Sequence, residues 1–230
     1  MTEVVPFKGL LYDQSKVGFL EFVTAPPYDV IQPDLQEKLY HMSPYNVVRL
    51  ILGKEFCGDA PKDNRHTRSL KSFKAWLDDK ILIQEKNPSF YGYSQEYNIE
   101  RRIVKRIGFF ARVKLEEFEN GGIYPHEFTL EKTKKDRSQL IKICRANFSR
   151  IFGLFSDPSR SVGAKLQETE AENEIGIVEQ SGIVHRVWRI ENLEIIKFLN
   201  QCFCKKKIYI ADGHHRYGTA LAYIREQGEK

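Results

Sequence analysis

The sequence lacks the long hydrophobic runs and paired cysteines that would indicate a membrane or secreted protein. No stretch of its 230 residues approaches the ~18 apolar residues that a membrane span needs. Residues 1–7 are too few and too polar for a signal peptide. The four cysteines show no paired metal-ligand spacing. We therefore expect a cytoplasmic protein with reduced thiols and no membrane contact.

Several catalytic motifs are also missing. The sequence contains no Gly-rich Walker loop, no Gly-x-Gly-x-x-Gly, no His-Glu-x-x-His and no Gly-x-Ser-x-Gly. Each of these motifs supplies a part that its enzyme class depends on, such as a phosphate-cradling loop or an exposed serine nucleophile. Their absence disfavours P-loop enzymes, Rossmann dehydrogenases, zincins and serine hydrolases.

The residues that are present indicate an ordinary globular protein. Hydrophobic residues make up 41% of the chain and charged residues 29%, which excludes a disordered or low-complexity chain. Helical and strand patterns alternate irregularly, so we predict an α/β fold of the mixed α+β kind, without a steady βαβ rhythm. The length fits one large domain over residues 1–230, with a loop at 57–64 as the best internal boundary.

The predicted helices and strands follow from the spacing of apolar residues, from helix-capping residues and from residues with a high propensity for strands. The expected helices are Arg65–Lys80, one after a cap at Asp136, one that begins at Asp157-Pro158, one after Asn192, and a last one near His214. The expected strands are a hairpin of Phe90–Ile99 and Ile103–Leu115, then Ile183–Ile190, and a short buried strand over Lys207–Ala211.

Positive charge is concentrated in two stretches. The formal net charge is +5, and basic residues cluster over 101–114 and 132–150. Such stretches can meet phosphate or nucleic acid, or they can form solvated faces. A nucleic-acid partner is compatible with this charge but is not favoured by it.

The sharpest motif is Asp212-Gly213-His214-His215-Arg216, between the last predicted strand and the last helix. A helix N-terminus exposes unpaired N–H groups and the positive end of the helix dipole, so an anion binds well there. Gly213 lets the backbone come close, Arg216 can hold phosphate oxygens, and the histidines can move protons. Asp212 can cap the helix, hold Mg²⁺ or accept a proton. The alternative is a plain N-cap with two surface histidines.

A second motif begins at His126-Glu127 and continues to Lys135 and Arg137. A His–Glu pair supplies a base and metal-ligand atoms, and the basic residues can clamp phosphates. The competing interpretation is a loop followed by a helix that Asp136 caps.

Two proline-containing segments form a third group, Ala25-Pro-Pro-Tyr-Asp-Val30 and Ser43-Pro-Tyr-Asn-Val-Val-Arg49. Rigid loops of this kind can hold polar side chains beside a ligand. Equally, Tyr28 and Tyr45 can simply pack in a core, with Asn46 as a local cap. The sequence leaves both interpretations open.

These motifs, together with Pro6-Phe-Lys-Gly9, Ala146-Asn-Phe148 and Ile151-Phe-Gly-Leu154, resemble the prokaryotic family called domain of unknown function 1015. The similarity runs in order along nearly the whole chain. Because members of that family are usually longer, the resemblance implies an N-terminal portion or a shortened member. The Asp212–Arg216 segment in turn resembles the phosphate-binding turn of the ParB/sulfiredoxin-like superfamily, which implies a core of that kind with additional N-terminal elements.

The resemblance to that superfamily implies a site that handles phosphate. Gly213 and Arg216 would contact phosphate, with His214 and His215 beside them, and Asp212 and Glu127 are the acidic candidates. Lys135 and Arg137 are further candidates for nucleotide binding. The leading hypothesis is a phosphotransferase that uses ATP or ADP, with Mg²⁺ at Asp212, on a small metabolite such as serine or phosphoserine.

Two other functions are compatible with these residues. One is a ParB-like nucleic-acid module or nucleotide switch, although no clear helix-turn-helix accompanies the basic stretches. The other is a metal-dependent hydrolase that uses His126, Glu127, Asp212, His214 and His215. Under the phosphotransferase and hydrolase hypotheses we expect His126 and Glu127 to lie near the Asp212–Arg216 turn, because functional groups converge in space rather than in sequence.

Overall fold

The computed structural model describes residues 2–118, 121–127, 131–170 and 173–228. The chain divides into two compact units. Unit 1 is formed by residues 1–11, 84–124 and 154–208, and unit 2 by residues 12–83, 125–153 and 209–230. The loop at 57–64, expected as a boundary, lies inside unit 2. The prediction of one large domain stays a prediction.

Both helices and strands occur in the described part of the chain, as the α/β assignment predicts. The α-helices are α1 Gln14–Val17, α2 Pro33–Met42, α3 Val48–Ile51, α4 Arg65–Asp78, α5 Glu131–Cys144, α6 Ser161–Thr169, α7 Leu193–Phe203 and α8 His214–Gly228. Two 3₁₀ helices cover Leu20–Phe22 and Tyr28–Val30. The strands are β1 Val4–Val5, β2 Leu10–Tyr12, β3 Leu82–Gln84, β4 Phe90–Ile99, β5 Arg102–Phe110, β6 Arg112–Val113, β7 Ile123–Tyr124, β8 Phe152–Leu154, β9 Glu174–Gln180, β10 Ile183–Ile190 and β11 Ile208–Asp212.

Unit 1 is built on an antiparallel sheet with the strand order β5-β4-β10-β9. Its core contains Trp188 and Ile190 of β10, Leu166 of α6 and Leu199 of α7, all of them buried. Trp188 lies across Gly92 of the neighbouring strand, where a Cβ atom would overlap the indole ring. A glycine at position 92 is therefore what allows this ring to lie flat on the sheet.

Unit 2 is mainly helical. Helices α2 to α5 pack in succession, and α5 also packs against α8. Two buried clusters hold these helices together, one around Leu50, Phe73 and Trp76 and the other around Leu39 and Val48. Apolar burial of this kind is the main stabilising term of a small helical unit.

The Ser43–Arg49 segment has a structural role. Asn46 is fully buried, and its amide nitrogen donates to the carbonyl groups of Phe22 and Thr24 at 2.9 Å each. Its side-chain oxygen accepts from the N–H of Val48 at 3.0 Å. Asn46 thus holds both the start of α3 and the preceding loop, although the N-cap position of α3 is Val47.

Most predicted elements are confirmed, and three details are corrected. The hairpin, the strand Ile183–Ile190, α4 and the Asn192 cap of α7 lie where the sequence places them. Asp136, expected as a cap, lies in the middle of α5. Helix α6 begins at Ser161, yet Asp157 still caps it by accepting from the N–H groups of Val162 and Gly163. The second strand of the hairpin ends at Phe110 rather than at Leu115.

No helix in the described ranges combines the length and the apolar character that a bilayer crossing requires.

The Gly92–Trp188 contact gives a stability prediction. Gly92→Ala should lower the free energy of unfolding by about 1–3 kcal/mol, because the added methyl group overpacks a filled core. Gly108→Ala is the matched control: it lies on β5 of the same sheet, and a Cβ there meets nothing within 4 Å. Urea unfolding of both variants tests this, and an equal effect of the two substitutions would contradict the overpacking argument.

Candidate functional site

The turn before α8 has the geometry that the sequence predicts. Strand β11 ends at Asp212, Gly213 takes a left-handed φ of +94°, and α8 begins at His214. The N–H of Tyr217 donates to the carbonyl of Gly213 at 2.9 Å, which closes the first helical turn. The strand is less buried than expected, since only Ile210 is fully buried.

Arg216 is engaged within this turn. Its guanidinium donates to Asp212 Oδ2 at 2.6 Å and also to the carbonyl of Arg150. The same group lies against Gly213, where a Cβ atom would be 3.1 Å from the guanidinium carbon. The side chain of Arg216 is 11% exposed, whereas that of Asp212 is 51% exposed. A phosphate that used Arg216 would therefore meet a guanidinium that already holds a carboxylate.

His126 lies beside this turn, as expected. Its ring nitrogen Nδ1 is 2.6 Å from the carbonyl oxygen of Ile210, and its backbone N–H donates to Nε2 of His214 at 3.2 Å. The two imidazole rings are nearly perpendicular, with centroids 4.4 Å apart. The prediction that the two segments meet is confirmed.

These contacts determine which ring nitrogen carries the proton on each histidine. A carbonyl oxygen only accepts, so Nδ1 of His126 carries the proton and its Nε2 keeps a lone pair in the neutral ring. A backbone N–H only donates, so Nε2 of His214 accepts and the proton of its neutral ring is on Nδ1. Nε2 of His126 is therefore the one nitrogen of the two rings that keeps a lone pair outside these two contacts.

His214 and Glu127 form a close pair. His214 is 2% exposed, and its Nδ1 is 3.0 Å from Glu127 Oε1. Nδ1 nevertheless makes no directed hydrogen bond to any residue in the described ranges. Burial lowers the pKa of His214, and the negative charge of Glu127 only partly opposes this effect. The shift favours the neutral form of the ring.

The structure brings together three residues with metal-ligating atoms. One such atom from each of His126, Glu127 and His214 lies within 4.8 Å of those from the other two. Asp212, the predicted metal ligand, is paired with Arg216 instead. His215 is half-buried, and its Nδ1 has no hydrogen-bond partner within the ranges that the structure describes.

A second polar centre surrounds Asp136, on α5. Its carboxylate pairs with Arg65, accepts from Nε2 of His66 at 2.8 Å and accepts from Nε of Arg137 at 2.7 Å. Burial alone would raise the pKa of Asp136, but the bond from His66 and the charges of Arg137 and Arg65 outweigh it. The pKa therefore lies well below the usual range of a carboxyl group.

Arg137 and Lys135, both predicted to bind nucleotide, differ in accessibility. Arg137 is 6% exposed, donates to the carbonyl of Ile51 at 2.7 Å and lies over the ring of Tyr28 at 4.0 Å. Lys135 is exposed on the same helix. Burial raises the pKa of Tyr28, and the positive charges of Arg137 and Arg216 both oppose this shift, so the hydroxyl group lies within electrostatic range of both arginines.

Sequence reasoning missed Arg65 and His66 as partners of this centre. The available signal was Asn64, whose side chain accepts from the N–H groups of His66 and Thr67 and so caps α4. A cap at that position puts Arg65 and His66 in the first helical turn, but it does not reveal which carboxylate they meet.

The Asp136 centre gives a prediction with a definite pH dependence. Asp136→Asn should lower the free energy of unfolding by about 3 kcal/mol at pH 7, because it leaves two guanidinium groups without their carboxylate. The folded-state pKa of Asp136 is depressed, so its stabilisation is complete well above the unfolded value of about 3.9 and is lost as the pH falls below it. The difference between variant and wild type should therefore narrow below about pH 4.

The control for this prediction is Asp63→Asn, which breaks an exposed ion pair with Arg68 and should cost at most about 1 kcal/mol. Urea unfolding at several pH values measures both. A pH-independent difference for Asp136→Asn would show that folding does not lower the pKa of this carboxyl group.

The comparisons with curated proteins and with solved structures found no match. A model of the family described as "Protein of unknown function (DUF1015)" matches residues 4–230. The match confirms the resemblance carried by the sequence motifs, and it covers every residue of the turn and of the Asp136 centre. The chain therefore belongs to the DUF1015 family.

Proposed function

We propose that this protein binds the phosphates of ATP or ADP at the turn before α8 and moves a phosphoryl group between the nucleotide and a small metabolite. The observation that carries the proposal is the start of α8, where a left-handed glycine opens a 15-residue helix beside the guanidinium of Arg216. Unpaired N–H groups, the helix dipole and a guanidinium all favour phosphate.

In this proposal a bound phosphate replaces the carboxylate of Asp212 as the partner of Arg216. Asp212 is half exposed and holds Arg216 through one anionic oxygen. A phosphate oxygen is the same kind of acceptor, so it can replace the carboxylate on the guanidinium. Asp212 is then free to hold Mg²⁺, which usually binds one or two carboxylates together with substrate phosphates. We therefore expect Mg²⁺ to bind with the nucleotide rather than before it.

The remaining chemistry is proton transfer and positioning. Phosphoryl transfer depends mainly on orientation and on stabilisation of charge. Because the Nδ1 proton of His126 is held by Ile210, its Nε2 is available to accept the proton of a metabolite hydroxyl group. A hydroxyl-bearing metabolite such as serine, or phosphoserine in the reverse direction, suits this arrangement.

The other candidate residues have more distant roles in this proposal. Lys135 is exposed and His215 half-buried, and both are proposed as nucleotide contacts. Arg137 is buried, so in this proposal it contributes positive charge from a distance rather than through a direct contact. The resemblance of the Asp212–Arg216 segment to the ParB/sulfiredoxin-like turn supports a core of that kind around β11 and α8.

A metal-dependent hydrolase is the second candidate. The observation in its favour is that His126, Glu127 and His214 converge. These three residues would hold the metal ion, which would supply an activated water for the hydrolysis of a phosphate held at the same turn. The two candidates differ in the acceptor of the phosphoryl group, which is a metabolite hydroxyl in the first and water in the second.

Arg216→Ala should weaken ATP and ADP binding by about 1.5–3 kcal/mol, the range for hydrogen bonds to charged groups. The helix N–H groups remain, so some binding should persist. Calorimetric titration at a temperature where the variant is folded measures the change. Arg225→Ala, at an exposed position of the same helix, is the control and should leave affinity unchanged. The proposal would be contradicted if Arg216→Ala lowered the melting temperature and left the nucleotide affinity unchanged.

Asp212→Asn should tighten ADP binding in the absence of Mg²⁺ and reduce the additional affinity that Mg²⁺ brings. It keeps the side-chain shape but removes the charge that competes for Arg216, so ADP binding without Mg²⁺ should become severalfold tighter. The additional affinity that Mg²⁺ brings should shrink, because the carboxylate ligand is gone. Titrations with and without Mg²⁺ separate the two effects. Weaker ADP binding without Mg²⁺ would mean that Asp212 organises the turn rather than competing with phosphate.

A further inference from the structure

His126 is oriented in the manner of a metal-binding histidine. Its Nδ1–H donates to the carbonyl of Ile210 at 2.6 Å, and its Nε2 keeps a lone pair. Histidine ligands almost always donate their second N–H to a carbonyl or carboxylate group, which fixes the ring orientation and makes the ligating nitrogen more basic. The residue is exposed, so an ion can reach it.

His214 and Glu127 supply a second, independent observation. Nδ1 of His214 is buried without a directed hydrogen bond among the described residues, yet Glu127 Oε1 lies only 3.0 Å away. Two ligand atoms at 2.0–2.1 Å from a tetrahedral zinc ion lie about 3.3 Å apart, and both point at the ion rather than at each other. The distance between His214 Nδ1 and Glu127 Oε1, and the absence of a directed hydrogen bond between them, match two neighbouring ligand positions in such a coordination sphere.

We propose that His126 Nε2, Glu127 Oε1 and His214 Nδ1 bind one divalent first-row transition metal ion, of which Zn²⁺ is the simplest probe. Two imidazoles and one carboxylate select this class of metal over Mg²⁺ and Ca²⁺, which prefer oxygen ligands. Three protein ligands leave at least one coordination position for water or a substrate oxygen, which is the pattern of catalytic rather than structural sites.

Metal binding requires two local adjustments. One ligand atom from each of the three residues lies within 4.8 Å of those from the other two, so the ligands must approach one another by up to about 1.5 Å to reach the ~3.3 Å spacing. The ring proton of His214 must also move from Nδ1 to Nε2, which ends the contact with the His126 N–H. That contact is 3.2 Å long, at the weak end of the hydrogen-bond range, and the metal ion would hold the two histidines together in its place.

The metal site differs from the Mg²⁺ of the proposed function. It uses nitrogen ligands and does not include Asp212, which pairs with Arg216. With a metal ion bound, Nε2 of His126 is a ligand and no longer accepts the hydroxyl proton, so the metal site and the proton acceptor of the proposed function are alternative uses of this nitrogen. Its ligand His214 is also the first residue of α8, so the open coordination position would face an anion bound at that helix start. Only this last role depends on the proposed function, because metal binding itself follows from the three side chains.

The test uses the full chain, stripped of metal with a chelator and then titrated with Co²⁺ and Zn²⁺. We expect one Co²⁺ per chain, with the visible absorption of a low-coordinate site, and its displacement by Zn²⁺. Glu127→Gln and His126→Gln should each weaken Zn²⁺ binding at least tenfold. Both residues are exposed, so these variants should fold even if the buried His214→Gln does not.

His41→Gln is the matched control. His41 belongs to an exposed His–Glu pair on α2, with Nδ1 3.3 Å from Glu37 Oε1, but it is not part of the three-residue group. Its substitution should leave Zn²⁺ affinity unchanged. The proposal is overturned if the wild type binds no Co²⁺, or if Glu127→Gln and His126→Gln bind Zn²⁺ as tightly as His41→Gln does.

A parallel titration with ADP separates this inference from the proposed function. ADP binding that is sensitive to Arg216→Ala, in a protein that binds no Co²⁺, overturns the metal site and leaves the phosphate turn standing. Co²⁺ binding that is sensitive to Glu127→Gln, in a protein that binds no ADP or ATP, supports the metal site and overturns the proposed function.

Discussion

The candidate site depends on two hydrogen bonds made by one residue, His126. One bond joins its ring to the carbonyl of Ile210 in the middle of β11, and the other joins its backbone N–H to the ring of His214 at the start of α8. Together they hold the 125–127 loop against the turn and determine the tautomer of both rings. Without them Glu127 would have no fixed position beside His214, and the turn would be a helix N-terminus with a single arginine.

The arginines of the turn and of the Asp136 centre are each paired with a carboxylate. Asp212 holds Arg216, and Asp136 holds Arg65 and Arg137. Pairing is expected, because a buried guanidinium without an anion carries a large desolvation penalty. A ligand anion must consequently compete with a carboxylate already present. Its affinity then reflects the difference between two similar interactions, which favours ligands of higher charge, such as phosphates, over carboxylates.

The carboxylates of Asp212 and Asp136 differ in exposure to solvent, and this difference points to a ligand-binding role for one and a structural role for the other. The side chain of Asp212 is 51% exposed, whereas that of Asp136 is 20% exposed and binds three partners. An anion from solvent can therefore replace Asp212 on its arginine partner, whereas replacing Asp136 on its partners would cost much more free energy. We infer that the Asp136 centre maintains the packing of α4 against α5, while the Asp212 pair is the one that a ligand can open.

The elements that the sequence predicts well are those specified by neighbouring residues. Asn192 caps α7 through bonds to residues two and three positions away, and the start of α8 follows from a glycine turn after a short strand. The prediction at Asp136 was wrong for the complementary reason. A carboxylate that can cap a helix locally instead meets Arg65 and His66, about seventy residues earlier in the chain, and lies in the middle of α5.

The sequence by itself determined the family, the mixed helix-and-strand composition, the position of the turn and the residue types available there. Only the tertiary structure decided which of these residues are accessible and which meet. Arg137 has the chemistry of a phosphate ligand, but packing buries it under Tyr28. His126 and His214 are 88 positions apart, and their contact exists because the loop docks against the start of α8. Such contacts depend on how the whole unit packs, which no short stretch of sequence specifies.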